Sequence, residues 1–208
     1  MKTSDLLLKS FLAGIFIAIG GFVYLSVGNI PGAIMFAFGL LSVVTLGTPL
    51  YTGTAGFKFY VTGTKNKLWK LPLILLFNVF GCMFIGILSH ASSKDIEFVA
   101  EELVYNRIID GWFTDGLLAI GCGIIMTTAV AAKTNYNTFL PLLFGIPVFI
   151  LCGFPHSIAD AFYISSCSND FIKMWWPEIL EYWGSVIVGN FIGCNIHNII
   201  GYNFVKDL

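Results

Sequence analysis

A histidine and two aspartates stand inside stretches apolar enough to cross a membrane, where an ionisable side chain is costly unless it is paired, wet or functional. His156 follows Cys152-Gly153-Phe154-Pro155, at the end of an uncharged run over residues 134–154. Thr48, Thr52 and Thr54 crowd a second uncharged run, residues 10–57, at Gly47-Thr48-Pro49-Leu50-Tyr51-Thr52-Gly53. Imidazole exchanges protons near neutrality. In a narrow pore it can protonate a weak-acid anion or hydrogen-bond it in transit. Thr52 either relays a hydrogen bond between permeant and His156 or merely satisfies a broken helix. Asp160 follows His156 by four, on one helical face. It would fix the imidazole tautomer or pair at a subunit contact. Asp115 lies one to two turns into an apolar segment, where it joins a pore network or reaches the outer interface.

These residues need elements to hold them. Gly and Pro inside membrane-length segments break the helix, and such breaks survive in lipid only where they are buried in protein or line a cavity. Six segments have the roughly 20 apolar residues of a span: about 8–27, 31–63 (broken at 47–53), 71–90, 107–131, 138–165 (broken at 153–156) and 180–204. None alternates with period two, which argues against a β-barrel. Asn78-Val79-Phe80-Gly81 in the third span echoes Asn190-Phe191-Ile192-Gly193 in the sixth. Three spans per half require inverted halves, about 8–90 and 107–204 within one domain of residues 1–208, and that topology brings the breaks together near the midplane. Gly189-x-x-x-Gly193 with Gly201 is a small-residue packing stripe.

Composition agrees. The chain is 57% apolar and 11% charged, against roughly 25% charged in soluble domains, and its mean hydropathy is +0.83. A net charge of −1 gives no reason to expect nucleic acid as a partner. The five cysteines show no CxxC spacing, so neither a disulfide nor a zinc site is expected. No metal-ligand cluster, nucleophile–base pair or nucleotide motif stands out, so neither a cofactor nor enzymatic activity is expected. Lys2, Lys9, Lys65, Lys67, Lys70, Lys133 and Lys206 fall on one side of the six-span scheme, and Lys94, Arg107 and Lys173 on the other. That bias puts both termini in the cytoplasm. Trp175 and Trp176 suit an interfacial belt. His90 and His197 read as interfacial.

At its motifs the chain resembles the formate/nitrite transporter family. Gly47-Thr48-Pro49-Leu50-Tyr51-Thr52 is similar to that family's Gly-x-x-Leu-Phe-Thr loop. Gly153-Phe154-Pro155-His156-Ser157-Ile158-Ala159-Asp160-Ala161-Phe162 stands where the family has Gly-Phe-Glu-His-Ser-hydrophobic-Ala-Asn-Met-Phe. Gly189-Asn190-Phe191-Ile192-Gly193 matches its sixth-span Gly-Asn-hydrophobic-hydrophobic-Gly. The resemblance implies an all-α, six-span, aquaporin-like inverted repeat with broken second and fifth helices, assembled as a homopentamer in the cytoplasmic membrane. It implies passage of small monovalent weak-acid anions: formate, nitrite, hydrosulfide or short carboxylates. It puts Thr52, His156, Asp115 and Asn190 in the pore and Phe36, Leu40, Leu50, Tyr51, Leu118 and Phe149 at its constrictions. Pro155 replaces the family's Glu, and Asp115 and Asp160 replace Asn. The vestibule Lys has no counterpart at the expected position, Val99, with Lys94 nearby. The lost positive charge keeps a second expectation open, a pore for neutral solutes such as water or the undissociated acid.

Overall fold

The computed structural model describes residues 2–56 and 69–200. Lys65, Lys67, Lys206, Gly201 and the end of the second span lie outside them. The described residues form helices α1 (Thr3–Val27), α2 (Asn29–Thr45), α3 (Tyr51–Ala55), α4 (Lys70–Ser89), α5 (Ile96–Asp110), α6 (Trp112–Tyr136), α7 (Leu140–Leu151), α8 (Ser157–Ser165) and α9 (Asn169–Ile199). Three of these, α1, α4 and α6, are long and apolar enough to cross a membrane unaided. The shorter apolar helices α2 and α7 are each followed by a short half-helix, α3 and α8.

The two breaks are built alike. Each of the long arms ends in a Schellman motif, with Gly47 (φ 62°) and Gly153 (φ 71°) in the left-handed region that favours glycine. Beyond them Thr48 N–H donates to Val43 O at 3.0 Å, and Phe154 N–H donates to Phe149 O at 2.9 Å. Both breaks then continue as x-Pro-x into the half-helix, Thr48-Pro49-Leu50 and Phe154-Pro155-His156. Pro155 thus makes the second break a closer copy of the first.

Packing follows the same symmetry. α1 packs on α4 and α6 on α9, while α2 meets α7 across the halves. The echoing Asn-x-x-Gly motifs sit at the two intra-half contacts. A Cβ on Gly81 would stand 2.1 Å from Phe11 O, and one on Gly193 2.0 Å from Ile120 O. Backbone cannot move aside as a flexible side chain can, so these helices touch main chain to main chain.

Two boundaries differ from the sequence reading. The fourth span begins at Trp112, not near 107, because residues 96–110 form the separate helix α5. The chain turns between α5 and α6 at Gly111, φ 82°. α5 carries Glu97, Glu101 and Glu102, too many charges for a span. The last helix starts at Asn169, not near 180, because Ser168 caps it by accepting from Phe171 N. Trp175 and Trp176 therefore lie within α9.

Candidate functional site

The half-helices α3 and α8 each need their first backbone amides satisfied, and one asparagine per half does it. Asn78 of α4 accepts from Tyr51 N at 2.8 Å and donates to Pro49 O at 3.0 Å and Ser10 O at 2.7 Å. Asn190 of α9 accepts from Ser157 N at 2.8 Å and donates to Pro155 O at 3.0 Å and Ala119 O at 2.9 Å. Each amide ties its break to two neighbouring helices. Four residues further on, a thiol reaches the opposite half. Cys82 S–H donates to Ile158 O and Cys194 S–H to Thr52 O, both at 3.2 Å. The Asn bonds thus shape each break, and the cysteine bonds bring the two half-helices together.

Where they meet, Thr52 Oγ1 lies 2.9 Å from His156 Nε2. Both are buried, at 0% and 2% exposure. The imidazole tautomer follows from its other nitrogen. His156 is the N-cap of α8, and its Nδ1 accepts from Ala159 N at 3.1 Å. Nδ1 is therefore unprotonated, and Nε2–H donates to the Thr52 hydroxyl. Asp160, for which fixing this tautomer was one of two expected roles, makes no hydrogen bond to the ring; the backbone amide of Ala159 fixes the tautomer instead.

Of the apolar residues expected at constrictions, Phe149 stands directly against this pair. Phe36, Leu40, Leu50, Tyr51 and Phe149 are buried. Phe149 stacks on His156 with ring centroids 5.7 Å apart, and Phe36 meets Phe149 edge to face at 6.0 Å. Tyr51 is pinned, its hydroxyl donating to Ile187 O at 3.2 Å. Leu118 is half-buried on α6. Thr48 donates back to Val43 O and Thr54 to Leu50 O, so these hydroxyls satisfy their own break. One cavity, of about 40 Å³, is lined by His156, Phe149, Arg107 and Asp160 among others. Another, of about 250 Å³, is lined by the first break from Gly47 to Leu50 and by Leu40.

Arg107 is the residue beside the second break that the sequence reading missed. Counted there as an outer-loop charge, it reaches back from the last turn of α5 and donates from Nη1 to Gly153 O at 2.8 Å. It pairs with Asp115 Oδ1 at 3.4 Å. Asp115 lies in the first turn of α6 and is fully buried rather than at an interface. Val99, where a vestibule cation was expected, packs against the core, and Lys94 is exposed. The available signal was that Arg107 is the chain's single arginine. His90 binds Glu97 at 3.0 Å on an exposed face, and His197 is buried in α9. No group of three or more His, Cys, Asp or Glu side chains among the described residues is placed to hold a metal ion.

Comparisons with known proteins agree with this architecture. The family model described as Formate/nitrite transporter matches residues 1–204. A formate channel of Bacillus thuringiensis, BtFdhC, is 26% identical over 90% of this chain and 82% of its own. An uncharacterized transporter of Bacillus subtilis (strain 168), YrhG, is 28% identical over 95% of this chain and 80% of its own. Among solved structures, a pentameric formate channel with formate bound superposes with a TM-score of 0.76 at 19% identity, over 96% of this chain and 97% of that one. An FNT family ion channel gives 0.75 at 18% identity, over 96% and 89%. The shared fold is all-helical. With the family model spanning nearly the whole sequence, this multi-pass membrane protein belongs to the formate/nitrite transporter family, a family of transporters and channels rather than enzymes.

Proposed function

We propose that the chain passes small monovalent weak acids, such as formate, nitrite, hydrosulfide or a short carboxylate, through a pore within each protomer. The observation that carries this reading is the buried Thr52–His156 hydrogen bond at the junction of the two half-helices. Apolar walls make a bare charge costly there, so a solute crosses only if it is neutral or is met by a donor. With Nε2–H donating to Thr52, the Thr52 hydroxyl is free to turn its own hydrogen toward a passing solute, since His156 is its one partner among the described residues. His156 thereby polarises Thr52, and the two act as one donor. Phe36, Leu40, Leu50, Tyr51, Leu118 and Phe149 supply the constrictions on either side. Asn190, whose three hydrogen bonds all go to backbone, serves the pore by holding its second break open. Asp115 serves it by holding Arg107.

The purified protein in proteoliposomes is expected to speed entry of at least one of these acids well above the protein-free rate, at two pH values. Water permeation with no acid flux would overturn the proposal in favour of a neutral-solute pore. The solved relative is a pentamer. We extend this to a homopentamer here, expected as the main species by native mass spectrometry in mild detergent; a monomer or tetramer as the sole species would refute it.

A further inference from the structure

The two halves present opposite relief to their surroundings. In the C-terminal half, α6 and α9 touch main chain to main chain, where a Cβ on Gly189 would stand 2.2 Å from Gly116 O. Between them lies an apolar hollow of about 430 Å³, reaching from Gly189 to Trp112 and Glu181. Gly116, Gly184, Ser185 and Gly189 keep it open. A Cβ on Gly184 would meet no described atom within 4 Å. In the N-terminal half, α4 carries a ridge instead. Phe80, Phe84 and Ile87 are exposed and lie on one helical face at i, i+4 and i+7. Phe77 supports the ridge, edge to face with Phe80 at 5.6 Å between centroids.

Hollow and ridge lie at one depth. Ser89, the last residue of α4, bonds through Oγ to Ser166 Oγ at 3.1 Å, just before α9 begins. The end of α4 and the start of α9 therefore share a side. Phe84 comes six residues after Asn78, and Gly184 six before Asn190. Each is thus about 9 Å along its helix from the asparagine that holds its break. Ile87 and Glu181 are each nine residues away. The two features belong to different faces, since α4 packs mainly on α1 and α8 while the hollow lies between α6 and α9. Their outer ends carry opposite charge. Lys94 is exposed beyond the end of α4, and Glu181 is exposed on the rim of the hollow. Neither has an ion-pair partner among the described residues.

In lipid, helices associate through van der Waals packing, and small residues let a neighbour come close. A ring made by repeating one contact needs two different faces on every copy, one for each neighbour. We propose that the α4 ridge of one copy seats in the α6–α9 hollow of the next, with Lys94 of one facing Glu181 of the other. This deepens the homopentamer proposed above and rests on it.

The test combines Phe84→Cys with Gly184→Cys in the full-length protein, with the exposed Cys152 removed by Cys152→Ser. Mild oxidation in proteoliposomes is expected to give a ladder of disulfide-linked species, from dimer to pentamer, on a non-reducing gel. Either single variant should stay monomeric there. Ile87→Cys with Glu181→Cys is read in the same way should the first pair not assemble. Gly184→Trp plugs the hollow and is expected to cost most of the pentamer in native mass spectrometry. No ladder from either pair, with wild type pentameric, would overturn this contact and leave the homopentamer standing. So would a Gly184→Trp pentamer that has lost only a bound phospholipid, which would make the hollow a lipid seat. A wild type found only as a monomer would overturn both.

Discussion

Replacing His156 by Asn is expected to cut weak-acid flux about 10- to 100-fold while the protein still assembles. The size follows from the bond removed. The bond lost is the one that the paired His156 and Thr52 offer to the permeant anion; a hydrogen bond to a charged group contributes about 1.5–3 kcal/mol, and each 1.4 kcal/mol is a factor of ten. The assembly follows from the cap. Asn is among the best N-cap residues, so it can still accept from Ala159 N as Nδ1 does. It is too short to keep the bond from Nε2 to Thr52. Thr52→Val removes, at nearly constant shape, the hydroxyl that meets the permeant, so the same loss of about 10- to 100-fold is expected. Initial rates of formate entry at matched reconstitution check both. In the His156 variant the pH profile should follow the concentration of acid in solution, with no contribution from the imidazole. Unchanged rates and profiles in both variants would leave the pair a structural tie.

The larger effect on stability belongs to Asn190. Its side chain satisfies Ser157 N, Pro155 O and Ala119 O away from water. Asn190→Leu removes three bonds and strands three backbone groups, each stranded group costing about 1–3 kcal/mol. A loss of about 3–9 kcal/mol is expected, a large share of the roughly 5–15 kcal/mol that holds an ordinary chain folded. Asn190→Asp retains the acceptor for Ser157 N and loses both donors, so it should fall between. Thermal unfolding midpoints in detergent, in the order wild type, Asp, Leu, are the expected result. A Leu variant within a degree of wild type would show that the break holds itself.

Asn190 also shows where the sequence stopped being readable. Gly47, Pro49, Gly153 and Pro155 announced the breaks because these residue types act on their own backbone, whatever surrounds them. Thr52 and His156 were singled out because the breaks pointed to them, and the structure brings the two together. Asn190 was expected to face the pore, but nothing local distinguishes an amide aimed at a solute from one that clamps a loop. The parallel role of Asn78 makes the difference plain only once both sets of bonds are seen. Arg107 was hidden by a boundary. Read as the start of a span, it belongs to an interface; once α5 ends and the chain turns at Gly111, it falls onto the second break. Asp160 beside His156 suggested a tautomer clamp by spacing alone, and the backbone amide of Ala159, invisible to any side-chain pattern, takes that place.

The division of labour between the asparagines and the cysteines has a consequence for how the protein is made. Asn78 bonds only within the N-terminal half, so the first break is complete once α4 has entered the bilayer. The carbonyl of Thr52 waits for Cys194, more than a hundred residues later in the chain. At a synthesis rate of roughly 5–20 residues per second, that is about 5–25 s. Through that interval the N-terminal half sits in lipid with a finished loop and an unclaimed half-helix. Among the described residues, α1 and α4 are the two helices of that half long and apolar enough to cross alone, and they supply its hold on the membrane.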